Sequence, residues 1–373
     1  MAVFNPEQLG VLRHLQRLTT TELGDRVGLS HNQIVRYEKG LSVPKAEVVE
    51  ALAIVLQADP AFFYHAPPDV VHEWQCHFRT PKGTTERTKK AFAAAATLFG
   101  MVVHELRRSV PIYDYDVPSW PADSLAEVER AATETRRHWG LSTTAPLEQV
   151  GRLVEQAGVM ITNMGADPTG TVDGFSRYGD PVDGVSLVVL SEIKGSPSRW
   201  RFSVAHELGH GVLAHSDESS ALDHERKEEQ ANRFASAFLM PADGFAREFL
   251  HANGSLSGLL ELKLRWGVSL QAMVVRAHQL GLLNVAEYRE RFRQISRKGW
   301  RMDEPNEPAE EKPELFAIAL AECTRRTGNT LREIAATLRV RPELVARVTG
   351  VTLPPASEAG VTPLSSSGHL RLA

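Results

Sequence analysis

Residues 206–210 read His206-Glu207-Leu208-Gly209-His210. On an α-helix, positions four apart lie on one face, so these two imidazoles can hold one metal ion between them. Glu207 adds a carboxylate placed to take a proton from water on that ion. Two histidine ligands with an intervening carboxylate base are the parts needed for zinc-assisted hydrolysis of a peptide bond.

So short a pattern also arises by chance, as a solvated charge cluster on a surface helix, and its flanks decide. Residues 198–205 lead in without Gly or Pro, and Phe202, Ala205, Leu208, Val212 and Leu213 recur at helical spacing. Gly209 and Gly211 cost helix propensity, about 1 kcal/mol each against Ala, which suggests close approach of a sheet or another backbone. A catalytic zinc takes three protein ligands and keeps a position for water. The third ligand is sought in a second helical run over residues 227–241, where Ala231, Phe234, Ala235, Phe238 and Leu239 form an inward stripe and Pro241 ends the helix. Glu228 shares that stripe, whereas Glu229 is turned by about 100° toward solvent. His215 lies off the face of His206 and His210 and either orients a substrate or caps the helix. Imidazole and carboxylate also suit manganese, so zinc is the expected ion and manganese the alternative.

The stretch from Arg201 to His210, with Glu228 to Ala235 and Leu239-Met240-Pro241, resembles the ImmA/IrrE family of metallopeptidases. The resemblance covers roughly residues 130–300, including Trp266-Gly267-Val268-Ser269 and Gly299-Trp300-Arg301. It implies zinc ligands at His206, His210 and Glu228, and a general base at Glu207. It also implies a substrate: members similar to this chain cleave or inactivate helix-turn-helix repressors in radiation response or mobile-element induction.

Residues 6–63 carry a second signature. A short helix over 8–18 turns Leu9, Leu12 and Leu15 inward. A second begins around Thr20-Thr21-Glu22-Leu23 with Thr as cap, Gly28 makes a tight turn, and a third starts at Ser30 and stops at Gly40. Val48, Val49, Leu52, Ala53, Val55 and Leu56 close the bundle. Two short helices across a Gly-containing turn make a helix-turn-helix. The stretch resembles the Xre/Cro-type repressor domain, above all in Ile34-Val35-Arg36-Tyr37-Glu38-Lys39-Gly40. In such domains the second helix enters the major groove, which points to His31, Asn32, Gln33, Arg36 and Lys39 as DNA contacts. Arg13, Arg17 and Lys45 are further candidates for phosphate. The module is not basic: Arg13, Arg17, Arg26, Arg36, Lys39 and Lys45 face Glu7, Glu22, Asp25, Glu38, Glu47, Glu50 and Asp59. Dimerisation, by doubling the phosphate contacts, would offset this.

A chain of 373 residues holds two or three domains, and its net charge of −4 points to neither a membrane binder nor a nucleic-acid sponge. No apolar run reaches 18 residues, and the N-terminus lacks a charged-then-apolar signal segment. With only Cys76 and Cys323, far apart, a disulfide framework is not expected, and a reducing cytoplasm fits. His72, Cys76 and His77 match no common zinc spacing and read as strand or loop residues.

The expected architecture is α+β and mostly helical. It comprises an Xre-type bundle over 1–66, a strand and helical linker over 67–121, a zincin-like peptidase domain with a small β-sheet over 122–301, an acidic linker over 302–313, a C-terminal helical module over 314–350 and a disordered tail over 351–373. A long helix over 85–108 spaces the DNA reader from the peptidase or belongs to the peptidase core. Strands are expected at 159–163, 174–178 and 185–190. The last is either an edge that pairs with an extended substrate or a buried central strand. Residues 333–341 echo residues 22–30 in apolar spacing, with Arg339 where the turn glycine would stand.

The function that follows is a DNA-binding transcriptional regulator fused to a zinc endopeptidase that cleaves a repressor or partner protein. Its partners would be a protein substrate, double-stranded DNA and a second copy in a homodimer, with no membrane. Two other readings stand beside it: a non-cleaving transcription factor that senses a metal or ligand, and a toxin–antitoxin or phage-defence protease. A pure sensor has no use for the base at Glu207.

Overall fold

The structure, a computed structural model, describes residues 3–65, 70–72, 77–79, 85–164, 174–178, 185–191, 196–215 and 223–353. Cys76 and the tail from residue 354 lie outside these. The chain divides into two compact units: Met1–Asp114, Val159–Ser191 and Glu314–Ala373 form one, Tyr115–Gly158 and Glu192–Pro313 the other.

The first unit opens with α1 (Pro6–Leu15), α2 (Thr20–Val27), α3 (His31–Glu38) and α4 (Ala46–Leu56). Local chemistry sets their starts. Thr19 and Ser30 each close a capping box, with Glu22 and Gln33 respectively. The cap of α2 is therefore one residue earlier than its Thr-Thr pair suggests. Gly28 (φ +70°) ends α2, and a Cβ on Gly24 would stand 2.5 Å from the Leu29 carbonyl oxygen, so the turn between α2 and α3 needs a small residue there. Leu9, Leu12, Leu23, Ile34, Leu52 and Leu56 are fully buried among the four helices.

After a 3₁₀ turn at Pro60–Tyr64 come β1 (His77–Arg79) and α5 (Glu86–Arg107), capped by Thr85. Helix α5 is no exposed spacer. Phe92, Ala96, Leu98, Phe99, Val102, Val103 and Leu106 are buried, and it packs on α1 and on C-terminal helices of the same unit. The unit's sheet runs β1-β3-β4-β2, with β2 (Met160–Met164), β3 (Gly174–Arg177) and β4 (Leu187–Ser191). β3 is antiparallel to β1 and β4, while β2 is parallel to β4 in the register Ile161↔Val188. β4 is therefore bonded on both sides and Leu187–Leu190 are buried, so the strand-addition role considered for it is ruled out: its backbone has no open edge.

Three further helices, which end the described chain, complete this unit; they are numbered last. They are α14 (Leu315–Thr327), α15 (Leu331–Thr337) and α16 (Pro342–Thr349). They are not a module of their own. Leu315, Phe316, Ile334, Leu344, Val345 and Val348 join one apolar core with the N-terminal helices, α5 and the sheet. Arg339 takes φ +60°, the conformation that Gly28 takes after α2. Its carbonyl accepts from Asp59 N (2.8 Å), and Arg341 N donates to the Gln57 carbonyl (3.1 Å), which stitches this turn to the end of α4.

The second unit contains α6 (Leu125–His138), α7 (Val150–Gln156), α8 (Pro197–Val212), α9 (His224–Leu239), α10 (Ala242–His251), α11 (Leu256–Trp266), α12 (Leu270–Gln279) and α13 (Val285–Arg297). Helix α9 packs on α8 and α6. Its C-terminal carbonyls, orphaned as at any helix end, are taken by two buried guanidiniums: Arg136 Nε donates to Phe238 O (2.7 Å) and Arg276 Nε to Met240 O (2.9 Å). Arg276 is also paired with Glu129.

The acidic stretch 302–313, expected as a linker, is a strap packed on this unit. Each of three glutamates seats on a helix start. Glu304 accepts from Leu270 N (2.7 Å) of α12, Glu307 from Ser198 N (3.0 Å) of α8, and Glu311 from Gly151 N (2.9 Å) of α7. Backbone N–H groups and the helix dipole favour a negative charge at these places. Cations complete the pairing: fully buried Lys263 reaches Glu304 (3.0 Å) and Glu307 (2.5 Å), and Arg201 pairs with Glu311.

Two predictions follow from this packing. Lys263→Met leaves two carboxylates without their shared cation; it should cost about 3 kcal/mol in urea unfolding, and a cost below about 0.5 kcal/mol would contradict the strap. Burial, with Arg13 and Lys90 beside it, pushes the His14 imidazole down to about 4 from 6.5. The unfolded chain then takes up a proton at this site that the folded one refuses, so stability contributed here falls as pH drops from 6.5 to 4. His14→Gln should make the urea midpoint less steep across that window; an unchanged slope refutes it.

Candidate functional site

Helix α8 begins with Ser196 as N-cap and Pro197 at its first position, where a missing N–H costs nothing. Its helical run holds His206 and His210 four residues apart, both buried, with ring centroids 5.0 Å apart. Gly209 explains how α9 comes so near: a Cβ there would meet the Phe234 side chain at 3.1–3.3 Å. The close approach anticipated at this glycine is thus to a side chain of α9.

Glu228, on α9, meets both histidines. Its Oε2 lies 3.4 Å from His206 Nε2, its Oε1 3.2 Å from His210 Nε2, and the two Nε2 atoms are 3.2 Å apart. Ligand atoms about 2.0–2.1 Å from a tetrahedral ion are separated by about 3.3–3.4 Å. The three donors therefore stand close to the edges of such a tetrahedron, and one ligand atom from each lies within 4.8 Å of the others. Glu229 is exposed.

The outer faces of the imidazoles show which nitrogen can bind. Gln230 Nε2 donates to the Ala122 carbonyl (2.9 Å), so its Oε1 is the acceptor for His215 Nε2 (2.9 Å). Burial pushes His215 down to about 4, so the ring is neutral and carries its proton on Nε2. His215 Nδ1 must then accept, and His210 Nδ1 donates to it (2.9 Å). His206 Nδ1 donates likewise to Asn232 Oδ1 (3.1 Å). Both Nε2 lone pairs consequently face the Glu228 carboxylate. Three lone pairs converging in this way repel one another unless a cation lies among them, and the donor set suits a divalent one. Burial raises the Glu228 carboxyl, but hydrogen bonds and positive charge from His206 and His210, were a further proton to sit on their Nε2 atoms, would outweigh that and hold it well below the usual carboxylate range. With an ion bound, that positive charge is the metal's. Glu207 is completely buried, one residue after His206.

Gln230 and Asn232 escape a reading of sequence spacing. Asn232, four residues after Glu228, shares its helical face, and that offset was the available signal. The His215 side chain is the partner of His210, and its backbone N–H caps the end of α8 on the His210 carbonyl (3.0 Å).

In the first unit, His31, Asn32, Gln33, Arg36 and Lys39 lie exposed on or at the end of α3. His31 Nδ1 contacts Thr20 Oγ1 (2.6 Å), and Gln33 Oε1 is occupied in the capping box with Ser30. Asn32, Arg36 and Lys39 have no carboxylate partner among the described residues. Arg13, a phosphate candidate by its charge, is instead buried in the bundle. It holds Glu38 (2.5 Å) and the Leu18 carbonyl (2.7 Å), which removes it from any DNA surface.

Comparison with known families agrees with both halves. Residues 155–278 match the IrrE N-terminal-like peptidase domain, and residues 7–62 match a helix-turn-helix domain family. No curated protein matches the chain. The chain thus joins a helix-turn-helix domain to an IrrE-like peptidase domain, and no helix of the described residues is long and apolar enough to cross a membrane.

If the convergence of donors holds an ion, the protein purified with zinc should carry one equivalent. His206→Ala and Glu228→Ala should abolish it. Gln230→Ala, which frees the His215 ring, should weaken affinity about 10–100-fold. Competition with a chromogenic chelator measures this, and a loss on Glu229→Ala equal to that on Glu228→Ala would reassign the third ligand.

Proposed function

We propose that the chain is a DNA-binding regulator that carries a zinc endopeptidase and cleaves a repressor or partner protein in stress response or mobile-element control. The observation that carries the catalytic half is the set of two imidazole Nε2 atoms and one carboxylate, 3.2–3.4 Å apart, with both imidazole protons tied up on the far side. His206, His210 and Glu228 would hold the ion, zinc in preference to manganese by donor type.

When bound, zinc supplies Lewis acidity, bringing the pKa of water from about 16 toward 7 and polarising the scissile carbonyl. Glu207 accepts the proton of the attacking water as its oxygen bonds to the carbonyl carbon. As the C–N bond breaks, Glu207 returns that proton to the departing amine. Asn232, His215 and Gln230 hold the imidazole rings in the tautomer this requires. For the DNA half, Asn32 and Arg36 would contact base edges and Lys39 phosphate; their exposure on α3 supports this reading. A helix-turn-helix repressor is the proposed protein substrate, and the compartment is the cytoplasm.

The decisive comparison is proteomic. Cells expressing the wild type should accumulate a protein fragment that cells expressing Glu207→Gln do not, although the variant keeps its zinc. A zinc-loaded Glu207→Gln protein that still generates the fragment would refute Glu207 as base. Absence of any fragment from the wild type would favour the non-cleaving sensor.

A further inference from the structure

Beyond the metal centre, the second unit's most uneven charge lies along α13 and the turn that follows it. Between residues 287 and 301, Arg289, Arg291, Arg293, Arg297, Lys298 and Arg301 face only Glu287 and Glu290. Arg289, Arg293 and Arg297 repeat at four-residue spacing, which sets them about 6 Å apart along one side of the helix. Arg301 lies beyond the helix end, past Gly299 (φ +73°), and borders the same surface. These arginines, with Tyr288 and Phe292, line an open hollow of about 640 Å³.

Other arginines of this unit are spent on structure: Arg201 on Glu311, Arg276 on Glu129, Arg265 on Glu248. On α13 the balance is different. Glu290 serves Arg293 (2.7 Å) and Arg297 (3.4 Å) together. Arg289 makes no hydrogen bond or ion pair among the described residues, and Lys298 and Arg301 have no carboxylate partner there. Lys298 lies over the Trp300 ring at 4.8 Å, and Arg301 over Phe292 at 5.9 Å with Nε on Ser296 Oγ (3.0 Å). Helix-dipole chemistry does not account for the row. A cation near a C-terminus is favoured, but Arg289 is the fifth residue of α13, in its first half.

We propose that this arginine face binds the phosphate backbone of duplex DNA. It rests on the reading of the chain as a DNA-binding protein and adds a contact outside the helix-turn-helix domain. Charge complementarity selects the ligand. Guanidiniums in a row suit a row of phosphates. The aromatic rings do not suit bases: Tyr288 already packs, tilted, against His278 (4.7 Å) and Phe292 (4.9 Å), and Arg301 covers Phe292. Contact is therefore to the backbone and blind to sequence. It also supplies charge that the first domain lacks, since residues 1–65 carry more acids than bases and one of those bases, Arg13, is buried.

The test uses the full-length zinc-loaded protein, a random-sequence 20-base-pair duplex, and binding measured by fluorescence anisotropy across a salt series. Arg289→Gln/Arg297→Gln/Arg301→Gln should lower the steepness of log affinity against log salt by about 2–3, since each lost phosphate contact removes about 0.9. Zinc content and melting temperature should stay at wild-type values. Asn32→Ala/Arg36→Ala should lower the salt slope by no more than about 1, since only Arg36 of the pair carries a charge. An unchanged salt slope in the triple variant overturns the proposal. So does competition by polyglutamate without competition by excess duplex, which would assign the face to an acidic protein. If instead the Asn32→Ala/Arg36→Ala protein matches wild type on every duplex while the triple variant loses binding, the α13 proposal stands and the α3 reading fails.

Discussion

Three lone pairs cannot share a few ångströms of buried space without a positive charge among them, and that constraint organises the second unit. His206 and His210 keep their Nε2 atoms inward because their Nδ1 protons are taken on the far side by Asn232 and His215. Glu228 can complete the trio only if α9 lies close along α8, and Gly209 makes room for the Phe234 ring that sets the distance. Helix α9 is in turn held at its far end by Arg136 and Arg276, both buried and both aimed at its last carbonyls. The chemistry at one end of the helix thus depends on guanidiniums at the other.

Sequence reading reached the centre of this arrangement because its information is local. Two histidines four apart, and a glutamate on the apolar face of the next helix, are statements about helical periodicity. The turn of the N-terminal bundle was legible for the same reason, since Gly28 and the Ser30 cap act within a few residues. What stayed hidden was pairing at long range. Gln230 meets Ala122 across 108 positions, and nothing near either residue announces it. The apolar run of β4 fits an edge or a centre equally, and only its hydrogen-bonded neighbours decide. The segment 314–350 has enough apolar residues for a core, but its spacing cannot say whose core that is.

Charge misled in both directions. Arg13 stands in a helix that ought to border DNA, yet it is spent on Glu38 inside the bundle. Residues 302–313 have the acids and prolines of a solvated tether, yet Glu304 is buried and its partner Lys263 is fully so. Composition measures how many charges a segment has. Burial depends on whether counter-charges, here 41 and 44 residues upstream for one lysine, come to meet them. The basic face of α13 is the converse, with several cations left to solvent.

The strap has a bearing on what the surrounding solution can do. Helix N-termini commonly collect sulfate, phosphate or carboxylate from the medium. At α7, α8 and α12 those seats are already filled by side chains of the same polypeptide. Dissolved anions thus meet sealed sockets there, and the helix bearing both histidines is insulated at its opening turn from the ionic composition of its host.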